Sequence, residues 1–279
     1  MAQVQNKSTK WILFAVLIIV SAFVIFPILV VLLNSFKLKF YISDAPFSMP
    51  TSETFAGLLN YTSGLVKTGF FTSFGYSLWI TVASVFGILL CTSMLGWYIT
   101  RVHGKVTSLI YYLLTISMIV PFQMVMFSMS KIANILHLDN PIGIIVLYIG
   151  FGCGMATFMF AGFVKSIPLA LEEAAMIDGA GPVRTFFQVV MPMMKPTAIT
   201  LAILQTMWVW NDYLLPYLTL GTDYKTIPVA IQYLRGGYGS VDMGAMMAML
   251  VLAMLPVIIF FLSCQKYIIK GVLAGAVKG

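Results

Sequence analysis

The stretch from Thr68 to Thr100 holds no charged residue between Lys67 and Arg101. A bilayer span takes roughly 20 consecutive apolar residues, and five further windows have the same character: Trp11 to Leu33, Val106 to Ser130, Asn140 to Val164, Pro196 to Leu220 and Met243 to Gln265. Only the Pro196 window is interrupted, by Asp212. In hydrocarbon every backbone polar group must be satisfied within the protein, so long apolar windows of this kind predict helices. Charged residues make up 9% of the chain and hydrophobic residues 60%, against about 25% charged in a soluble domain. The expectation is an all-α polytopic membrane protein with six transmembrane helices and one domain over residues 1–279. The first window exceeds the roughly 7–15 apolar residues of a signal-peptide core, and no small-residue cleavage site follows it, so it is read as a retained span. Six spans with short connections leave no room for an ATPase domain, and no phosphate-cradling Gly-rich Lys-Ser/Thr loop is present.

Charge sets the orientation. With the amino terminus inside, the inner segments carry ten basic and three acidic residues, and the outer segments six of each, so the whole net charge of +7 faces inward. That distribution suits a cytoplasmic membrane, with both termini cytoplasmic, and argues against a nucleic-acid partner. Cys91, Cys153 and Cys264 fall inside predicted spans without metal-ligand spacing and read as buried thiols. The clustered methionines read mainly as packing, with a path-lining role as the alternative, and His103 and His137 as solvated loop residues.

One inner segment breaks the pattern. Glu173-Ala174-Ala175 is followed by Asp178-Gly179 and then by Val189-x-Met191-Pro192. Pro168 is placed to start a helix and Gly179 to end one; Leu169, Glu173 and Met176 fall on one ridge between them. A second helix is expected from Pro182 to Val190, ended by Pro192. The result is an exposed helix-turn-helix; the alternative, an amphipathic segment on the membrane, would want a Lys/Arg-rich polar face.

This order resembles the cytoplasmic coupling loop, here about 166–195, of permease subunits of binding-protein-dependent ABC importers, with a type I importer permease fold. Ile177-Asp178-Gly179-Ala180 and Trp210-Asn211-Asp212-Tyr213 look like the carbohydrate branch. The ending Gly271 to Gly279 is similar to the tail of the smaller membrane subunit of the maltose importer. The resemblance implies a permease without enzymatic activity that moves a sugar or oligosaccharide by alternating access. It also implies a second homologous permease subunit, two cytoplasmic ATPase subunits, an extracytoplasmic solute-binding protein and a bacterial or archaeal cytoplasmic membrane with its lipid. The chain itself is expected to bind no cofactor or metal, ATP and Mg lying on the partner subunits. Glu173, Ala174, Ala175, Asp178, Gly179 and Pro192 are implied to meet the ATPase. Gly275, Lys278 and Gly279, in a cytoplasmic tail of about 266–279, are expected at the ATPase interface. Arg235 and Tyr238, in the outer loop Thr222 to Asp242, are expected to meet the binding protein. Asn211 and Asp212 either line a translocation path or gate, or cap a helix end. An importer for a non-sugar solute and an ion-driven secondary carrier are the alternatives; a carrier has only Asp212 to couple an ion.

Overall fold

A computed structural model describes residues 7–234 and 241–276, with side chains for 9–234 and 241–265. Fourteen α-helices and one π-helical turn are found among the described residues, with a single isolated β-bridge, Lys37 to Phe55. Four helices are long and apolar enough to cross a membrane, and up to six spans result if each of two bent pairs is one span. The chain divides into two compact units.

The first unit comprises Met1–Phe70 and Ala230–Pro256. Helix α1 (Lys7–Asn34) is apolar on all sides and exposes large side chains such as Phe14, Ile19 and Phe23 throughout its length. A helix without a polar face is suited to lipid or to another membrane helix. The connection after the first apolar window holds two short helices, α2 (Lys39–Asp44) and α3 (Leu59–Thr68). Its backbone groups are taken up locally: the Asn60 amide donates to the carbonyls of Ser35 and Lys37 at 2.9 and 2.8 Å. The enclosed Lys37 ammonium donates to Ala45 O at 2.8 Å. Lys67 pairs with Asp242, at the threshold of α14.

The second unit comprises Phe71–Val229 and Val257–Gly279. It is built on α4 (Phe70–Arg101) and α7 (Gly143–Val164). A Cβ on Gly96 would lie 2.8 Å from Phe160 Cβ and 3.0 Å from the Ala161 nitrogen. Glycine is therefore what lets these two helices approach at that level, the small-residue solution common where helices pack in membranes. Between them the Val106 window forms not one helix but two, α5 (Lys105–Ser117) and α6 (Phe122–Ile135), bent by 110°. Pro121 stands in the break; its ring fixes φ and removes the N–H a continuous helix needs. Asn140 opens α7, its Oδ1 accepting from the amides of Ile142 and Gly143 at 3.0 Å each.

After α7 come α8 (Leu169–Ile177), α9 (Pro182–Thr185), the π turn Phe186–Val190, α10 (Met191–Met193) and α11 (Lys195–Asn211). The helix expected to stop before Pro192 continues through it. Pro192 has no N–H to give the carbonyl four residues back and its ring crowds that carbonyl; the preceding π turn widens the helix at that place. The Pro196 window is likewise two helices, α11 and α12 (Leu214–Thr219), parted at Asp212. Helix α13 (Ile227–Gln232) lies within the expected outer loop, and α14 (Met243–Ala276) ends the described chain.

The core of the second unit joins Ile88 of α4 and Phe160 and Val164 of α7 to Phe186, Val190, Met194 and Leu201. The segment from Phe186 to Met194 is thus packed into the body of the unit.

Candidate functional site

Pro168 supplies an extended residue, φ −59° and ψ 128°, immediately before α8. At the other end Gly179 has φ +83°. The Gly179 amide donates to Met176 O at 3.0 Å and that of Ala180 to Ala175 O at 2.9 Å. This pair of bonds is a Schellman ending, which places its Gly in the left-handed region. The chain then turns through Gly181-Pro182 into α9.

Two neighbouring acids of α8 have opposite fates. Glu173 is exposed, on a ridge with Leu169 and Met176; Ala174, Ile177, Asp178 and Pro192 are exposed as well, and Ala175 is half-buried. Ile177 and Val183 are large apolar side chains 86% and 67% exposed. A shallow depression lined by Val183, Arg184, Phe187 and Gln188 lies on α9 and the π turn.

Glu172, one residue earlier, is 1% exposed. Its Oε2 accepts from Trp97 Nε1 at 2.9 Å and its Oε1 from Arg101 Nε at 2.9 Å, with Arg101 Nη2 2.7 Å from Oε1 as an ion pair. Arg101 Nη2 also donates to the Ile167 carbonyl at 2.9 Å. Trp97 packs on Phe186, ring centroids 5.4 Å apart. The end of α4 is thereby tied to the start of α8 and to the π turn by one buried cluster, with the carboxylate in the first turn of α8, where a negative charge is favoured. Sequence reasoning missed Glu172, Arg101 and Trp97. A signal existed: if Glu173 lies on the outward ridge, its neighbour is turned about 100° toward the protein, and Arg101 ends the longest uncharged window.

Asp212 lies between α11 and α12. Its Oδ1 accepts from the Leu214 amide at 3.0 Å, and its Oδ2 accepts from the Tyr148 hydroxyl at 3.0 Å. Tyr148 is fully buried and packs edge-on against Trp208. Asp212 thus caps a helix and anchors α7. Asn211 is exposed, its amide donating to Met207 O at 2.7 Å. Gly275 falls in the last turn of α14, while Arg235, Tyr238, Lys278 and Gly279 lie outside the described residues. Glu173, Ala174, Asp178 and Gly179 are exposed on α8 and its ending, and Pro192 is exposed on α10; Asn211 and Asp212 belong to a different part of the chain. Among the described residues no group of three His, Cys, Asp or Glu could hold a metal ion.

The segment around Glu173 is an outward acidic and apolar knob held by a buried ion pair to the end of α4. The family profile of the binding-protein-dependent transport system inner membrane component matches residues 89–273. The chain belongs to that family. It is therefore a membrane permease component of an ABC importer, a transport subunit and not an enzyme, working with a solute-binding protein and an ATPase. It is 36% identical to the probable starch degradation products transport system permease protein AmyC of Thermoanaerobacterium thermosulfurigenes, over 96% of this chain and 97% of that one. It is 34% identical to the multiple sugar-binding transport system permease protein MsmG of Streptococcus mutans, over 91% and 92%. In fold it is similar to a chain of the crystal structure of a bacterial ABC transporter involved in import of the acidic polysaccharide alginate. The TM-score is 0.76 at 22% identity, covering 94% of this chain and 98% of that one.

Proposed function

We propose that the chain is the permease of a sugar or oligosaccharide importer, and that the surface of α8 and α9 is where the ATPase drives it. The exposed ridge of Leu169, Glu173 and Met176, backed by the buried Glu172–Arg101 pair, carries this reading. The substrate class rests on relatives whose names specify starch degradation products, multiple sugars and arabinooligosaccharides. The assembly holds a second homologous permease and two ATPase subunits, with ATP and Mg on the latter. Both termini face the cytoplasm. Closure of the ATPase pair on ATP draws the knobs together, and the buried tie passes that movement from α8 to α4, reopening the path outward. Ala174, Ala175, Asp178, Gly179 and Pro192 shape the docking surface; Gly275, Lys278 and Gly279 enter the ATPase interface; Arg235 and Tyr238 meet the binding protein. Asp212 serves as a helix cap, and Asn211 alone of that pair is free to face the path.

The test is Glu173→Lys in the complete assembly, with ATPase co-purification and uptake of labelled oligosaccharides measured in the same membranes. Reversing the charge offered to a docking groove places like charges in contact. Reduced ATPase recruitment with normal membrane insertion is expected. Wild-type recruitment and uptake would show that the ATPase docks elsewhere.

A further inference from the structure

A cavity of about 250 Å³ opens where α4 ends, α5 begins and α7 ends. Its wall includes Thr100, His103, Ser108, Tyr111 and Lys165. The side chains of Lys165 and His103 make no ion pair or hydrogen bond among the described residues, and the same holds for the Ser108 hydroxyl. Helices α4, α5 and α7 contain no Asp or Glu at all. The one acid near the end of α4, Glu172, is already occupied by Arg101 and Trp97. The recess therefore presents solvent-facing donors, His103, Ser108 and Lys165 all being exposed, and a positive charge with no counter-ion from its own walls. Drug-sized ligands take roughly 300–1,000 Å³, so the space suits a smaller group.

Two further features say what kind of anion fits. The cavity sits at the boundary where the uncharged windows give way to Arg101, Lys105 and Lys165, which is headgroup depth. One of its walls, Tyr112, also begins an exposed stripe on α5: Leu109, Tyr112, Leu113 and Ile116 are 58%, 64%, 58% and 56% exposed at helical spacing. A polar, cationic recess continuous with an apolar stripe matches an amphiphile, headgroup in the recess and acyl chain along α5. Basic pockets between membrane helices on the cytoplasmic side hold lipid phosphates in this way. We propose that this recess binds the phosphate of an anionic phospholipid, with Lys165 as its counter-charge and His103 and Ser108 as hydrogen-bond donors. The assignment to the inner leaflet rests on the orientation proposed above; the phosphate chemistry does not.

The test uses the purified, complete importer, delipidated and re-exposed to vesicles of phosphatidylglycerol or of phosphatidylcholine, with bound lipid counted by native mass spectrometry. The wild type is expected to retain phosphatidylglycerol in preference to phosphatidylcholine. The double variant Lys165→Gln, His103→Gln should weaken that retention by about fivefold or more, one basic side chain near a headgroup being worth about that factor. Lys105→Gln, which alters a lysine at the same depth but outside the cavity, should weaken it clearly less than the double variant does, and an equal loss overturns the assignment to the recess. Inorganic phosphate offered without vesicles separates the sources. Phosphate bound in a Lys165-dependent way and not displaced by phosphatidylglycerol assigns the recess to a soluble phosphate compound and overturns the lipid assignment. Equal retention of the two lipids, or undiminished retention by the double variant, overturns the proposal as well. ATPase recruitment measured on the same preparations keeps this outcome separate from the fate of the coupling reading, which stands or falls on Glu173.

Discussion

Replacing Arg101 by Met removes the hydrogen bond and the ion pair to Glu172 and the donor to the Ile167 carbonyl, leaving a shorter, apolar side chain in their place. The Glu172 side chain is 2% exposed and that of Arg101 19%. Removing one partner of a fully buried ion pair costs about 3–5 kcal/mol. The partial exposure of Arg101 admits some water, and Trp97 still donates to Oε2, so the cost falls at the lower end, about 3 kcal/mol. That is a sizeable share of the roughly 5–15 kcal/mol that holds a whole domain together. It is concentrated on the joint between α4 and α8, so the expected result is local release of α8 and not loss of the membrane core. Hydrogen exchange over residues 169–178 should quicken, and oligosaccharide uptake should fall more steeply than the amount of assembled complex. Glu172→Gln, whose single carbonyl oxygen can replace the acceptor of Arg101 or that of Trp97 but not both, should cost less than Arg101→Met, roughly 1–3 kcal/mol. The double variant Arg101→Met, Glu172→Met, which leaves no buried charge, should recover most of the thermal stability lost by Arg101→Met alone. If Arg101→Met shows wild-type exchange over α8 and wild-type uptake, the buried pair does not hold the knob and the proposed route from α8 to α4 is wrong.

Gly179 sits at φ +83° with nothing within 4 Å of where a Cβ would stand, so substitution there is opposed by backbone conformation alone. Gly179→Val should cost at least about 1–2 kcal/mol and Gly179→Asn clearly less, read as ATPase co-purification that declines in that order. Asp212→Ala removes a helix cap, about 1 kcal/mol, and strands the buried Tyr148 hydroxyl; Asp212→Asn keeps an acceptor for the Leu214 amide and should unfold at a higher temperature than the Ala variant. The carboxyl of Asp242 is raised by burial, but the Lys67 hydrogen bond, the Ala245 amide and the charges of Lys67 and Lys39 outweigh this and hold it below its ordinary value. A depressed folded pKa adds stability above the unfolded value, about 4, and loses it as pH falls through the folded one. The difference in thermal midpoint between wild type and Asp242→Asn should therefore be present at neutral pH and vanish under strong acid. Because Lys67 is 53% exposed, it should be small, no more than about 1 kcal/mol.

The all-helical class and the bounds of α8 were legible because each rests on local chemistry. Uncharged windows force helices in a bilayer, and Pro168 and Gly179 bracket α8 by their own backbone preferences. The interruptions were less legible. Pro121 lies in an apolar window whose composition satisfies a span whether or not the helix bends, so hydropathy alone does not reveal the 110° bend. Pro192 was taken as a stop, but a helix can pass a proline by widening, and the packing of Phe186 and Val190 in the core supports the π turn that does so. Between the first two apolar windows Pro46, Pro50 and mixed polarity mark breaks without revealing the short helices α2 and α3 on either side of them. The Tyr148–Asp212 bond joins residues 64 positions apart, a pairing that no local pattern carries.

Glu172 and Glu173 show why a motif does not by itself assign roles. Both acids sit in one sequence run, yet about 100° of helix rotation makes one an anchor and the other an offered charge. A knob that only docked would move on its own when pulled, since a short helix held by a few exposed contacts has little stability of its own. With Glu172 tied to Arg101 and Trp97, and Trp97 in turn packed on Phe186, α8 and the π turn are fixed to the end of α4. Phe186 and Val190 share a core with Phe160 and Val164 of α7. A displacement applied at Glu173 therefore reaches two membrane helices through contacts that are buried and close-packed, and close-packed interiors transmit strain instead of absorbing it. On this account the exposed acid decides whether the ATPase engages, and the buried acid decides whether engagement moves the membrane helices. Variants at Glu173 should therefore lose recruitment and uptake together, whereas variants at Arg101 or Glu172 should retain ATPase and lose transport.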